Sequence, residues 1–158
     1  MKKLALLLLT SCATTDPTTY ECGLPNLPLY IDVDHSASDL TAQIDEAANF
    51  WNEGAGFLLL LPIYGQHPTA FVGAVRVEGT IGDRGETRRE LADCELKKIT
   101  ISLPFDSQVR RIRHELGHAL GLQHDSSRFS IMNPDPNAGS EIAENDKEAL
   151  RLAYIGKN

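Results

Sequence analysis

The chain has 158 residues, enough for one domain with a real core and too few for two comfortable ones. Hydrophobic residues make up 42% and charged residues 23%, and 22 Asp and Glu against 15 Lys and Arg leave a formal net charge of -7. That balance excludes a binder that neutralises phosphates with a basic surface, so no nucleic-acid partner is expected. The first stretch, MKKLALLLLTSC, places Lys2 and Lys3 before an apolar run over 4–9. This is the charged-then-apolar order of an export signal, and it is far too short to cross a membrane as a helix. The polar, Thr-rich ATTDPTTYE that follows suits a tether.

LPLYIDVDH then alternates, with Leu29, Ile31 and Val33 on one side, which predicts a half-buried strand. Ser36 or Ser38 can cap a helix from Asp39, in which Leu40, Ile44, Ala47, Ala48 and Trp51 share one face and Gly54 and Gly56 form the stop. FLLLLPI, from Phe57, predicts a buried strand, and VGAVRVEG, from Val72, another. IGDRGETRR is expected to be a charged loop and ELADCEL a short strand. KKITISLPF alternates through Ile99, Ile101 and Leu103 and ends at Pro104. Asp106 or Ser107 can cap a helix through Val109, Ile112, Leu116, Ala119 and Leu120. NPDPNAGS is a loop, and a last helix runs from about Ala143 to Tyr154. The order predicts a single α+β domain over 28–158 with a twisted mixed sheet, two long helices and a C-terminal helix, preceded by a signal over 1–11 and a tether over 12–27.

The chemistry concentrates in RHELGHALGLQHD. His114 and His118 are four apart, so they stack on one helical face and can share one Zn²⁺. Gly121 can take the left-handed conformation that ends a helix and turns the chain. His124 can then return to the same ion, and three neutral imidazoles leave a fourth tetrahedral position open, as in catalytic zinc sites. Glu115, beside the first ligand, is the carboxylate that can act as general base and acid. A bare H-E-x-x-H recurs by chance, and a helix with satisfied or exposed histidines is the bland alternative. Gly121 and His124 at fixed offsets weigh against it.

HELGHALGLQH resembles the metzincin metallopeptidases, H-E-x-x-H-x-x-G-x-x-H, and SIMNP resembles their Met-containing turn. The wording looks most like the matrixin branch, with Trp51, Asp146 and Tyr154 in agreement and Gly156 one residue late for its closing Tyr-Gly. The resemblance implies a zincin-like fold and a zinc endopeptidase acting on protein or peptide substrates. His114, His118 and His124 would bind one zinc, Glu115 would be catalytic, Met132 would form the apolar floor and Pro134 a wall of the specificity pocket. Asp125 departs from the family's common Ser after the third His, and nothing resembles the structural-zinc loop of animal matrixins. Asp32, Asp34 and Asp39 read as solvated edge charges, which leaves calcium unsupported. Arg110, Arg111 and Arg113 read as a solvated helix face. Two other functions stay open: a non-catalytic binding module on the same scaffold, and a cell-wall peptide hydrolase.

The stretch before Ala13, ending at Cys12, resembles the lipobox of bacterial lipoproteins. It implies a lipid on Cys12 and a monomer tethered to a membrane surface, on the cell surface or in the periplasm, with plain secretion as the alternative. Cys22 and Cys94 then remain as a pair, expected to form a disulfide outside the cytoplasm. The rival for Cys22 is a cysteine switch, because ECGLPN resembles that matrixin motif.

Overall fold

The structure is a computed structural model that describes residues 24–64 and 74–155. The expectations for the signal, Cys12, Cys22 and the tether up to Gly23 lie outside those residues. The sheet has five strands in the order β2-β1-β3-β5-β4. Their ranges are β1 Leu29–Val33, β2 Leu60–Ile63, β3 Ala74–Thr80, β4 Glu86–Ala92 and β5 Glu95–Pro104. β1 runs parallel to β2 and β3, β3 parallel to β5, and only β4 is antiparallel. The mixed α+β architecture is therefore as expected.

Register explains the core. Ile31 opposes Val75 and Val33 opposes Val77, while Val75 opposes Ile99 and Val77 opposes Ile101. Side chains alternate in a strand, so these rows lie on one face of the sheet. All of them are buried. Helices α1, Thr41–Ala55, and α2, Val109–Ala119, complete that core through Ile44, Ala47, Ala48 and Trp51 and through Ile112, Leu116 and Ala119. Helix α3, Glu144–Tyr154, adds Ala149 and Leu150.

Several local expectations need correction. A 3-10 helix, His35–Leu40, precedes α1, and Asp34, not Ser36 or Ser38, caps it by accepting from Ser36 N at 2.9 Å. Gly54 lies inside α1, and Gly56, at φ 78°, supplies the left-handed stop. FLLLLPI contains an edge strand, β2, so Leu61 is exposed despite the apolar run. ETRR is not loop: Glu86 begins β4, and the loop is confined to 81–85. ELADCEL is not one short strand: it holds the end of β4 and the start of β5, joined by a two-residue turn with Asp93 and Cys94 at positive φ. Helix α2 starts after Gln108 rather than on Asp106 or Ser107.

One side chain fixes β2 to α1. Asn52 Oδ1 accepts from Leu59 N at 2.8 Å and Leu60 N at 2.9 Å, and its Nδ2 donates to Leu60 O at 2.9 Å. Leu59 and Leu60 are fully buried, so the two N–H groups have little access to water. Asn52→Ala should destabilise the protein by about 2–4 kcal/mol, measured by urea unfolding, from orphaned donors worth about 1–3 kcal/mol each with partial relaxation. A loss under about 0.5 kcal/mol would show that water replaces the amide.

Candidate metal centre

Helix α2 carries His114 and His118 on consecutive turns, with Glu115 next to the first. After Leu120, Gly121 takes φ 97°, its N–H donates to His118 O at 3.0 Å, and Leu122 N donates to Gly117 O at 3.0 Å. This turn returns the chain so that His124 faces the other two rings. Ring centroids lie 4.7 Å apart for His114–His118, 5.2 Å for His114–His124 and 4.8 Å for His118–His124. One ligand nitrogen from each lies within 4.8 Å of the other two. The structure therefore brings the three predicted ligands together.

The rings are held in a defined sense. His114 Nδ1 lies 2.8 Å from Ile131 O, and His118 Nδ1 lies 2.8 Å from Leu122 O. A carbonyl can only accept, so each neutral ring carries its hydrogen on Nδ1 and leaves Nε2 bare. Those two bare nitrogens stand 3.1 Å apart. Two lone pairs at that distance repel unless a cation lies between them. For bonds of about 2.1 Å at tetrahedral angles, two ligand nitrogens sit about 3.4 Å apart, so the residues fit a zinc ion. Burial, the largest influence, lowers His118 to about 4, and the charges of His114, His124 and Arg89 add to the drop against the Leu122 hydrogen bond. Burial also lowers His124, followed by the charge of His114. Rings kept neutral in this way have their ligand nitrogens available.

Glu115 is buried, at 6% exposure. Thr87 Oγ1, from β4, lies 2.6 Å from its Oε2 and 3.0 Å from its backbone O. Burial pushes the carboxyl above the usual range, the Thr87 hydrogen bond and the charges of His114 and Arg111 oppose this, and Glu86 adds to the rise. Thr87 is a residue that sequence reasoning missed, because its stretch reads as loop.

Beneath the helix, Met132 is fully buried. A Cβ on Gly117 would lie 2.3 Å from Met132 Sδ and 2.8 Å from Trp51 Cζ2, so the helix approaches the methionine only because residue 117 has no side chain. Trp51 Nε1 donates to Arg113 O at 2.8 Å, just before the first ligand. Ser130 Oγ accepts from Met132 N at 2.9 Å and donates to Asp146 Oδ2 at 2.7 Å. Asp146 Oδ2 also accepts from Ala143 N, which ties the start of α3 to the methionine turn. Tyr154 donates to Leu120 O at 2.7 Å, a carbonyl at the end of α2. Asp146 and Tyr154 thus have structural work at both ends of α3.

Four of the arginines and aspartates read as solvated, Arg110, Arg113, Asp32 and Asp34, are engaged instead. Arg110 reaches Gly139 O at 3.3 Å, Asn133 O at 3.3 Å and Asp135 O at 3.0 Å, holding the loop that contains exposed Pro134. Arg113 pairs with Glu46 at 2.9 Å and lies 4.2 Å from the Phe50 ring centroid. Asp34 pairs with Arg76, and Asp32 is buried with that guanidinium 3.9 Å away.

Comparison with known proteins follows this geometry. The sequence profile of the Matrixin family matches residues 100–155. No curated protein matches the chain. Among solved structures, archaemetzincin from Methanopyrus kandleri is similar at 14% identity and a TM-score of 0.50, covering 78% of this chain and 93% of that one. Myroilysin is similar at 12% identity and a TM-score of 0.57, covering 87% and 82%. The fold is metzincin-like. In that fold the zinc-compatible histidines, the methionine turn and α3 are one connected unit.

Asp146 makes the unit sensitive to pH. Burial, opposed by the Ser130 bond and reinforced by Asp125, raises it from 3.8 to about 6. A raised carboxyl binds its proton more tightly in the folded state. Its contribution is therefore fully present below about pH 4 and lost as pH rises through about 6. Asp146→Asn should remove that dependence. Unfolding free energies measured from pH 4 to 7 should show the wild type losing about 2 kcal/mol relative to the variant, and parallel curves would refute the assignment.

Proposed function

We propose that this chain is a zinc-dependent endopeptidase. The observation that carries the reading is the pair of bare Nε2 atoms, completed by His124, beside a buried carboxylate that is not a ligand. The similarity of residues 100–155 to matrixins supports it. His114, His118 and His124 would hold the ion. Zinc, when bound, supplies Lewis acidity that polarises the scissile carbonyl and makes water nucleophilic near neutral pH. Glu115 takes the proton from the attacking water at its carboxylate and returns it to the leaving nitrogen as the carbon–nitrogen bond breaks. Met132 supports the ligands from below, and Pro134 would stand in the wall of the specificity pocket. β4 is an edge strand beside Glu115, and an extended peptide can pair along such an edge. The substrate class is therefore peptide or protein.

The proposal extends to the cell. The catalytic domain spans 28–158 and follows a signal over 1–11 and a tether. Cys12 carries a lipid that holds the protein at a membrane surface outside the cytoplasm. Cys22 is linked to Cys94.

Glu115→Gln should keep one zinc per chain by elemental analysis and lose about 10²–10⁴ in kcat on a peptide found by library profiling. Undiminished cleavage in that variant would sink the mechanism. A wild type that holds zinc and cuts no library peptide would favour a binding module on the same scaffold.

Mass spectrometry of the mature protein should find an acylated N-terminal Cys12 peptide and, without reduction, a linked Cys22–Cys94 peptide. An unmodified N-terminus elsewhere removes the anchor. Two free thiols, with activity that rises on thiol modification, would replace the disulfide by a cysteine switch.

A further inference from the structure

Three residues of the chain, Gly85-Glu86-Thr87, pass directly over the Glu115 carboxylate, and the two flanking ones treat its two oxygens differently. Thr87 Oγ1 lies 2.6 Å from Oε2 and 3.0 Å from the Glu115 backbone O. The single hydroxyl proton is shared between two acceptors of the same residue, and the shorter contact is to the carboxylate. That closes a small ring of contacts that restricts the Glu115 side-chain torsions. On the other side, a Cβ built on Gly85 would lie 3.0 Å from Oε1 and 3.0 Å from Arg111 Cγ. A side chain there would press on Oε1 and on Arg111, and glycine leaves both in place. The alternation of β4 turns Thr87 toward α2 while Glu86 and Arg88 are exposed.

We propose that Gly85 and Thr87 act as positioning residues for the Glu115 carboxylate. Thr87 fixes Oε2 through its hydroxyl, and Gly85 keeps the space around Oε1 clear. The inference rests on the endopeptidase reading for its kinetic consequence only; the position of the carboxylate stands apart from it. A misplacement of about 1 Å at a reacting group is enough to cost about 10²-fold in rate. An isosteric change that removes only the hydroxyl should therefore act on turnover and leave substrate affinity in place. A merely structural tie between β4 and α2 would instead lower stability and leave the turnover number alone.

The test uses the zinc-loaded protein with Thr87→Val, Thr87→Ser and Gly85→Ala. Thr87→Val should lower kcat about 10–100-fold, with KM within about twofold and the zinc content unchanged. Thr87→Ser restores the hydroxyl and should keep kcat within about threefold of the wild type. Gly85→Ala keeps the hydroxyl but presses on Oε1, and should also lower kcat at unchanged KM. Crystal structures of the same variants without metal give a second readout. The Glu115 carboxylate should move by about 1 Å in Thr87→Val and stay in place in Thr87→Ser. Wild-type kcat in Thr87→Val, a loss that follows KM or zinc, or a carboxylate unmoved in that variant would overturn the role of Thr87. Wild-type kcat in Gly85→Ala would overturn the role of Gly85. Should Thr87→Val fail to fold, a Thr87→Ser variant that loses kcat would also count against the hydroxyl. If the wild type cuts no peptide, the endopeptidase reading fails alone, and the carboxylate positions still decide this one.

Discussion

Two imidazoles facing each other through their lone pairs are the constraint on which the rest depends. Neither His114 nor His118 would choose this arrangement in water. Backbone carbonyls impose it, Ile131 O on one ring and Leu122 O on the other. One carbonyl belongs to the turn that ends α2, and the other to the segment just before Met132. The orientation of the pair is therefore set by where two loops sit, and each loop is fixed from elsewhere. Gly121 and the bond from Leu122 N to Gly117 O fix the first. Ser130 and Asp146 fix the second. A ring nitrogen at the site thus depends on the start of α3 through a short, continuous chain of hydrogen bonds.

Close packing around α2 relies on missing side chains. Gly117 lets Met132 and Trp51 reach the helix between the first two ligands. Gly85 lets the approach to β4 come down on Glu115. A methyl group has no space at Gly117 and would press on Glu115 Oε1 and Arg111 at Gly85, so both glycines matter for their size rather than for mobility. The result is a helix contacted from below by the methionine turn and from the sheet side by β4, with the ligand nitrogens directed between.

The legible part of this molecule was the part governed by local spacing. His114, His118, Gly121 and His124 are separated by intervals that a helix and one left-handed residue convert directly into proximity, and the structure brings the rings together. β5 and α1 were legible because Ile99, Ile101 and Leu103, and Ile44, Ala48 and Trp51, follow the periods of a strand and a helix. β4 was misread because its alternation is polar: Thr87 and Arg89 face inward between exposed Glu86, Arg88 and Glu90, so no apolar stripe marks the strand. β2 was misread in the opposite sense, since an apolar run cannot say whether a strand lies inside a sheet or at its edge. Asn52, Arg110 and Ser130 act through partners across loops or distant in the chain, and spacing carries no information about such pairs.

The buried polar residues show what the site costs the fold. Glu115, Asp125, Ser130 and Asp146 are all buried and all lie in or beside the metal centre. Asp125 Oδ2 and Asp146 Oδ1 have no hydrogen-bond partner among the described residues, and the charge of Asp125 adds to the burial that disfavours ionisation of Asp146. A fold selected for stability alone would place apolar side chains or amides there. The two kinds of carboxylate nonetheless do different work. Asp146 organises backbone N–H and hydroxyl groups that hold the methionine turn, a task an amide could largely perform. Glu115 is held at one oxygen by Thr87 while the other faces the bare backbone of Gly85, an arrangement that fits the general-base role proposed for it.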